Sequence, residues 1–277
     1  MATVFKYCDA HSVETLQNLE LKVTPPNQFN DPFEFTPHVI CSSPNRRLKN
    51  LFKDKRELNE MFMEQKKNGF TGTARDFRKQ LREVRPTLVA ALAPKMPEVD
   101  ADLQANYLDS ISGLHGVLYM SARRDSILMW GHYCDKHRGM VIGLDSSWEL
   151  FRGLKGLRHV KYVRDRVVWD PSCAPGGLKE RAFMEQLIFW KNDDWKYEDE
   201  LRQLFTLRGL PRRPLNNGTT GYFLPIPPSV LISVSLGARC PSEMERKVRS
   251  ALRDPRLSHV KLDHAVLHQS EFALRFA

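Results

Sequence analysis

A chain of 277 residues, 42% of them hydrophobic, is long enough to bury one ordinary core or two small ones, which excludes a disordered or fibrous polypeptide. Its formal charge of +9 favours anionic partners, nucleotides or nucleic acids among them, because net charge steers encounters without deciding the fold. Five scattered cysteines, an odd number without paired spacing, argue against a disulfide framework and for a reducing, cytoplasmic setting; the sequence shows neither a signal-peptide pattern nor an apolar run of membrane-spanning length.

In chain order, residues 4 to 7 predict a first strand, and residues 11 to 21 a helix, with Val13, Leu16 and Leu19 or Leu21 at helical spacing. Pro25 and Pro26, followed by Asn27-Gln28-Phe29-Asn30-Asp31-Pro32-Phe33-Glu34, enforce a turn-rich loop. Two readings of that loop stand. Phe29 and Phe33 staple it to the core while Asn30 and Asp31 make side-chain turns, or the loop forms a pocket wall.

Residues 45 to 85 hold thirteen Lys or Arg against six Asp or Glu, so about +7 of the formal charge lies in this segment. Leu48, Leu51, Phe52, Leu58 and Phe62 fit one amphipathic helix. Phe77, Leu81, Val84 and Leu88 fit a second, with Gly69 and Gly72 between the two, and Leu103, Tyr107 and Ile111 fit a third. Residues 45 to 112 therefore read as a basic helical insertion within a single α+β domain spanning 1–277. The basic surface is either a solvated face or a contact for nucleic-acid phosphates.

Strands are expected at 117 to 121, 140 to 144, 158 to 163, 167 to 169, 201 to 207, 229 to 236 and 259 to 267. Between them, helices are expected near Trp130 and Tyr133, over 178 to 190, and from Ser242, whose spacing to Glu245 is that of a capping box. Residues 209 to 228, with five prolines and Asn216-Asn217-Gly218, read as a long loop. Strands separated by long helix-containing segments, without regular alternation, indicate an α+β fold. His132, Cys134 and His137 lack the second ligand pair of a zinc site, and no metal is expected.

Trp195-Lys196-Tyr197-Glu198-Asp199-Glu200-Leu201-Arg202 is the stretch densest in chemical groups. If extended, it puts Lys196, Glu198, Glu200 and Arg202 on one face, two carboxylates between two cations, a setting in which one carboxyl stays ionised while the other is tuned upward. If helical, Lys196 with Glu200 and Glu198 with Arg202 make ordinary surface pairs, with Asp193 and Asp194 in the first turn.

Three groups of residues resemble a family of uncharacterised bacterial proteins: Lys6-Tyr7 with Phe29-Asn30-Asp31-Pro32-Phe33-Glu34; Ser121 with Met129-Trp130-Gly131-His132-Tyr133 and His137-Arg138-Gly139; and Lys191 and Trp195 with the run from Tyr197 to Arg202. Their order along the chain is similar to that of the ADP-ribosyltransferase superfamily, where a first-strand anchor, a middle-strand Ser or Tyr and a Glu opening a late strand surround NAD. The resemblance implies a split β-sheet core, with Lys6 or Tyr7 as anchor, Ser121 or Tyr133 in the middle-strand role, and Glu198-Asp199-Glu200 as the acidic motif, now opening a strand. The first-strand Arg or His of that superfamily is absent, and Ser121-Ala122-Arg123 matches only part of its Ser-Thr-Ser form.

What the resemblance implies for function is an NAD-consuming transferase or glycohydrolase acting on a nucleic-acid or protein acceptor, in phage defence or as a toxin. Glu200 would stabilise an oxocarbenium-like transition state and Glu198 would orient it or activate the acceptor. Tyr133 completes the expected catalytic set. Tyr7, Asn30, Asp31, Phe33, Ser121, Trp130 and His132 would line the substrate site with Lys6, and Arg123, Arg138 and Arg202 would neutralise the pyrophosphate. NAD is in this reading a consumed substrate. The competing expectation is a non-catalytic nucleic-acid or protein-binding module that uses the basic helices. A third is a hydrolase or nuclease holding a divalent metal on the acidic cluster.

Overall fold

The computed structural model of the protein describes residues 3–39, 53, 55–170, 178–215 and 218–277. Along the chain, β1 (Thr3–Cys8), α1 (Glu14–Asn18) and β2 (Glu20–Val23) lead through the proline-rich loop to β3 (His38–Val39). Three helices follow, α2 (Lys55–Lys67), α3 (Ala74–Leu92) and α4 (Met96–Leu114), and then β4 (His115–Ser121), α5 (Ile127–Tyr133) and β5 (Met140–Asp145). Short strands β6 (Arg158–His159), β7 (Lys161–Val163) and β8 (Val168–Trp169) precede α6 (Leu178–Phe189), β9 (Trp190–Asn192) and β10 (Glu200–Thr206). The chain closes with β11 (Arg212–Pro214), β12 (Thr220–Pro225), β13 (Leu231–Leu236), α7 (Ser242–Ala251), β14 (Lys261–Leu267) and β15 (Leu274–Phe276). The fold is mixed α+β.

Several elements differ from the sequence reading for identifiable reasons. The helix expected over 11 to 21 shrinks to α1, because Leu19 turns left-handed at φ 50° and the chain re-emerges as β2, burying Leu21 from a strand. The loop expected over 209 to 228 contains β11 and β12. Pro211, Pro214 and Pro225 stand at or beside strand ends, where no ladder N–H is lost, Pro227 and Pro228 open a 3₁₀ turn ahead of β13, and β12 pairs antiparallel with both β2 and β11. Ser242 caps nothing, since α7 takes Pro241 at its N-cap with no side-chain bond. Leu48, Leu51 and Phe52 lie outside the described residues, and the first basic helix is described from Lys55.

The chain divides into two compact units. One comprises Phe35–Asp109 and Arg166–Leu187. It contains the parallel pair β3–β8, and α2 and α3, whose Leu58, Phe77 and Leu81 form a small core with Met61, Phe62 and Phe70.

The other comprises Met1–Glu34, Ser110–Asp165 and Ile188–Ala277. Its main sheet runs β15-β14-β13-β5-β1-β4-β10-β6, accompanied by the three-stranded sheet β11-β12-β2 and the pair β7–β9. Alternation along β1 explains how the sheet is clad. Val4 and Cys8 face a core with Leu118, Met120 and Ile142, into which α1 sends Leu16 and α7 sends Met244 and Val248. Phe5 and Tyr7 face the opposite side, against Met129 and Trp130 of α5.

The feature that makes a site lies between β1 and β4. β1 pairs with β5 at six positions and β10 with β4 at seven, yet β1 meets β4 in register only at Phe5↔Ser121. Past that pair the main-chain ladder between them stops. In the gap Lys6 Nζ, a side chain in place of an N–H, donates to the Tyr119 carbonyl at 3.0 Å, and its ammonium lies 3.3 Å from the Tyr119 ring centroid.

Candidate active site

The gap opens into a cavity of about 280 Å³, at the small end of ligand-sized pockets. Phe5 and Tyr7 of β1, Tyr119 and Ser121 of β4, Met129, His132 and Tyr133 of α5, and Phe29, Asn30 and Glu34 of the proline-rich loop line it, together with Lys191, Glu198 and Glu200. A second cavity, of about 470 Å³, shares Tyr7, Tyr119, His132 and Tyr133 with the first and adds Lys6 and Lys22.

The acidic motif owes its conformation to a change of backbone state within four residues. Asn192 caps a 3₁₀ turn over Asp193–Glu198 through a 2.8 Å bond from the Asp194 N–H; Asp199 then turns left-handed at φ 44°, and Glu200 opens β10. An aspartate tolerates that φ better than most residues do. The helical reading of 195 to 202 thus holds up to Glu198 and the extended reading from Glu200. Neither reading's Lys196 partnership forms, and Lys196 is exposed. Two bonds pin the turn to the end of β4: Ser121 Oγ donates to the Glu198 carbonyl at 2.6 Å, and the Ala122 N–H to the Asp199 carbonyl at 2.9 Å.

Five charged side chains are buried together here. Lys191 Nζ lies 3.1 Å from Glu34, 2.6 Å from Glu198 and 3.0 Å from Glu200. Arg202 reaches Glu200 from Nε at 2.7 Å, donates to the Ile188 carbonyl at 2.9 Å, and pairs with Glu34. Three carboxylates against two cations leave one net negative charge when all are ionised. Such a cluster survives burial only because nearly every polar atom has a charged or hydrogen-bonded partner.

The two glutamates differ in proton affinity although they share one ammonium. Burial drives the Glu198 carboxyl upward, Lys191 pulls it back and Glu200 raises it again, leaving it at about 7. Burial also raises Glu200, but Arg202 and then Lys191 outweigh it and hold it down at about 2. Tyr133 donates its hydroxyl to Glu198 Oε1 at 2.6 Å and receives a 3.3 Å bond from Asn30 Nδ2. Tyr133 stays a phenol, its own pKa raised by burial and by Glu198. One carboxylate of the pair is therefore a fixed charge, and the other exchanges a proton near neutrality.

In the second cavity Lys6 is only 5% exposed, and no carboxylate lies within ion-pair distance of Lys6 or Lys22 among the described residues. Burial, opposed mainly by Cys8, lowers Lys6 to about 7, and Lys22 shifts the same way through its own burial.

Of the residues singled out from sequence, Tyr7, Asn30, Ser121, His132, Tyr133, Glu198 and Glu200 meet at the first cavity and Lys6 at the second. The others stand elsewhere. Asp31 accepts the Phe33 N–H at 2.9 Å, Phe33 is 60% exposed, and Trp130 is buried with its indole on the Arg124 carbonyl. Arg123 pairs with Asp125 at 2.8 Å, and Arg138 with Asp135 at 3.8 Å. Arg202 lies beneath the glutamates, its donors engaged, so a pyrophosphate contact from it is ruled out by burial. His132, Cys134 and His137 diverge: His132 rims the cavity, Cys134 points at the Met140 carbonyl, and His137 stacks on Trp130.

Lys191, the hub of the cluster, is the functional residue that sequence alone does not reveal. The lysine stood among the family-like residues with nothing in its spacing to tie it to Glu34, far away along the chain. The motif His137-Arg138-Gly139 is architectural. Asp135, Lys136 and His137 are left-handed in succession, and a Cβ on Gly139 would stand 2.1 Å from the Cys8 carbonyl oxygen.

No family model matches this chain, and no curated protein or solved structure is significantly similar to it.

Proposed function

We propose that the protein cleaves the nicotinamide–ribose bond of NAD and passes ADP-ribose to water or to a macromolecular acceptor. The observation that carries this reading is the glutamate pair on one ammonium, Glu200 held ionised and Glu198 poised near neutrality, at a cavity in an opened sheet. Nicotinamide departs with the bonding electrons as a neutral ring, so no acid is needed at the leaving group. What the reaction needs is negative charge beside the ribose as it becomes oxocarbenium-like, and a base for the incoming hydroxyl. Glu200 supplies the first, within a cluster that keeps one net negative charge. Glu198 takes the proton, a task suited to a carboxyl whose pKa is near the working pH.

The cavity walls support the same assignment. Phe5, Phe29, Tyr7 and Tyr119 offer aromatic surface for the nicotinamide ring. Lys22, which makes no ion pair among the described residues, supplies charge for the diphosphate that the expected arginines do not, and the Lys6 amine, lowered to about 7 by burial, adds a hydrogen-bond donor. The closeness of the site-lining positions on adjacent β1, β4 and β10, with Phe5 opposite Ser121 and Ser121 opposite Glu200, is what the resemblance to ADP-ribosyltransferases calls for.

A non-hydrolysable NAD analogue at about a hundred times its dissociation constant is expected to stabilise the fold by roughly 2.7 kcal/mol, read as a rise in the thermal midpoint. An unmoved midpoint at millimolar analogue, in folded protein, sinks the proposal.

The base role fixes the sign of the pH dependence. Only ionised Glu198 accepts a proton, so kcat/KM is expected to climb with pH and level off above about 7. Tyr133→Phe deletes a hydrogen bond that favours the ionised form, so the midpoint should move to higher pH while the high-pH plateau stays within a few-fold. A midpoint that falls, or does not move, contradicts the assignment of Glu198.

A further inference from the structure

The proposed chemistry makes no use of the charge concentrated between residues 45 and 85, about +7 of the molecule's +9. Helix α3 shows how part of it is displayed. At about 100° per residue, Phe77, Leu81, Val84 and Leu88 fall on one side of the helix, and Arg75, Arg78, Lys79 and Arg82 fall within an arc of about 100° on the other. Phe77 and Leu81 are buried, packed with Leu58 of α2, and the rings of Phe62, Phe70 and Phe77 stand 5.7 to 6.3 Å apart. Phe77 and Leu81 are spent on this packing, whereas Val84 and all four cations are exposed.

The acids nearby, Asp76 and Glu83, offset the stripe only in part. Asp76 is taken up by the helix cap, its carboxylate accepting the Thr73 N–H at 2.9 Å and the Thr73 hydroxyl at 2.6 Å. No hydrogen bond or ion pair among the described residues engages Arg75, Arg78, Lys79 or Arg82. Four such cations span about 10 Å of helix, at a rise of 1.5 Å per residue. The helical turns from Arg75 to Arg82, N-terminal to Pro86, carry their charge on one side and are braced from behind by a small core, which matches the phosphate-flanked major groove of a duplex, wide enough to admit an α-helix.

We infer that α3 is a docking surface for duplex nucleic acid, held through its phosphates by Arg75, Arg78, Lys79 and Arg82. Binding of this kind releases counterions, so affinity depends on salt and little on sequence. The inference does not rest on the NAD reading, and its test contains no NAD.

The experiment is fluorescence anisotropy of a labelled 20-base-pair DNA with the whole protein, from 50 to 200 mM salt. Four phosphate contacts give a slope of log affinity against log salt of about −3.6, a loss on the order of a hundredfold across that range. Arg82→Gln and Arg78→Gln should each reduce the slope by about one. The variant carrying Glu at all four positions should lose binding while its circular dichroism stays that of the wild type. If that variant fails to fold, the two single substitutions decide. The inference is overturned if the protein does not bind duplex DNA at 50 mM salt, if the single variants leave the slope unchanged, or if these cations matter only for phosphatidylserine vesicles.

Discussion

Lys191→Met is expected to cost about 3–5 kcal/mol of folding stability, the loss typical of removing one partner from a buried charged network. The ammonium is the common partner of Glu34, Glu198 and Glu200. Methionine keeps most of the volume and supplies no donor, leaving three buried carboxyls to share Arg202. Urea unfolding monitored by fluorescence measures the difference. Adding Glu198→Gln to Lys191→Met should recover part of it, because the glutamine removes a charge that has lost its counter-ion. A single variant within 1 kcal/mol of wild type would show that the cluster is solvated and is not held together by Lys191.

Glu200→Gln is expected to lower turnover on the order of a hundredfold or more, the loss that follows from deleting one preorganised electrostatic group at a reacting centre. The stability cost should be smaller than for Lys191→Met, since Glu34 and Glu198 remain as counter-ions for Lys191 and Glu34 for Arg202. Binding of a non-hydrolysable analogue should survive. A second readout separates charge stabilisation from a purely structural role: Glu200 raises the proton affinity of Glu198, so residual activity in the variant should titrate at lower pH than in wild type. Wild-type turnover in Glu200→Gln removes this residue from the mechanism. A loss of turnover without the pH shift assigns it a structural role.

Much of the strand framework could be read from the sequence, because apolar runs such as residues 117 to 121 and 140 to 144 are buried central strands and advertise themselves by composition. The helical face of α3 was legible for the same reason, through the spacing of Phe77 and Leu81. β11 and β12 were not, because prolines at strand ends mimic a loop. At the site, the glutamates were visible as a dense acidic motif, but their inequality was not. It depends on Lys191 being shared by both glutamates while Arg202 bonds Glu200, in a pair whose backbone changes state at Asp199. Such a change is written in φ and not in residue type. The same limit applies to Lys6, which sequence marks as a strand lysine and only the broken ladder beside Tyr119 reveals as a buried amine at a cavity.

Release of nicotinamide from NAD by the purified protein, followed by chromatography with and without duplex DNA or protein as acceptor, tests the central proposal most directly. The expected result is release by the wild type at pH 8, faster than at pH 6, and reduced on the order of a hundredfold or more in folded Glu200→Gln. Absence of release from folded wild-type protein under every acceptor condition, or equal release from wild type and Glu200→Gln, would contradict it.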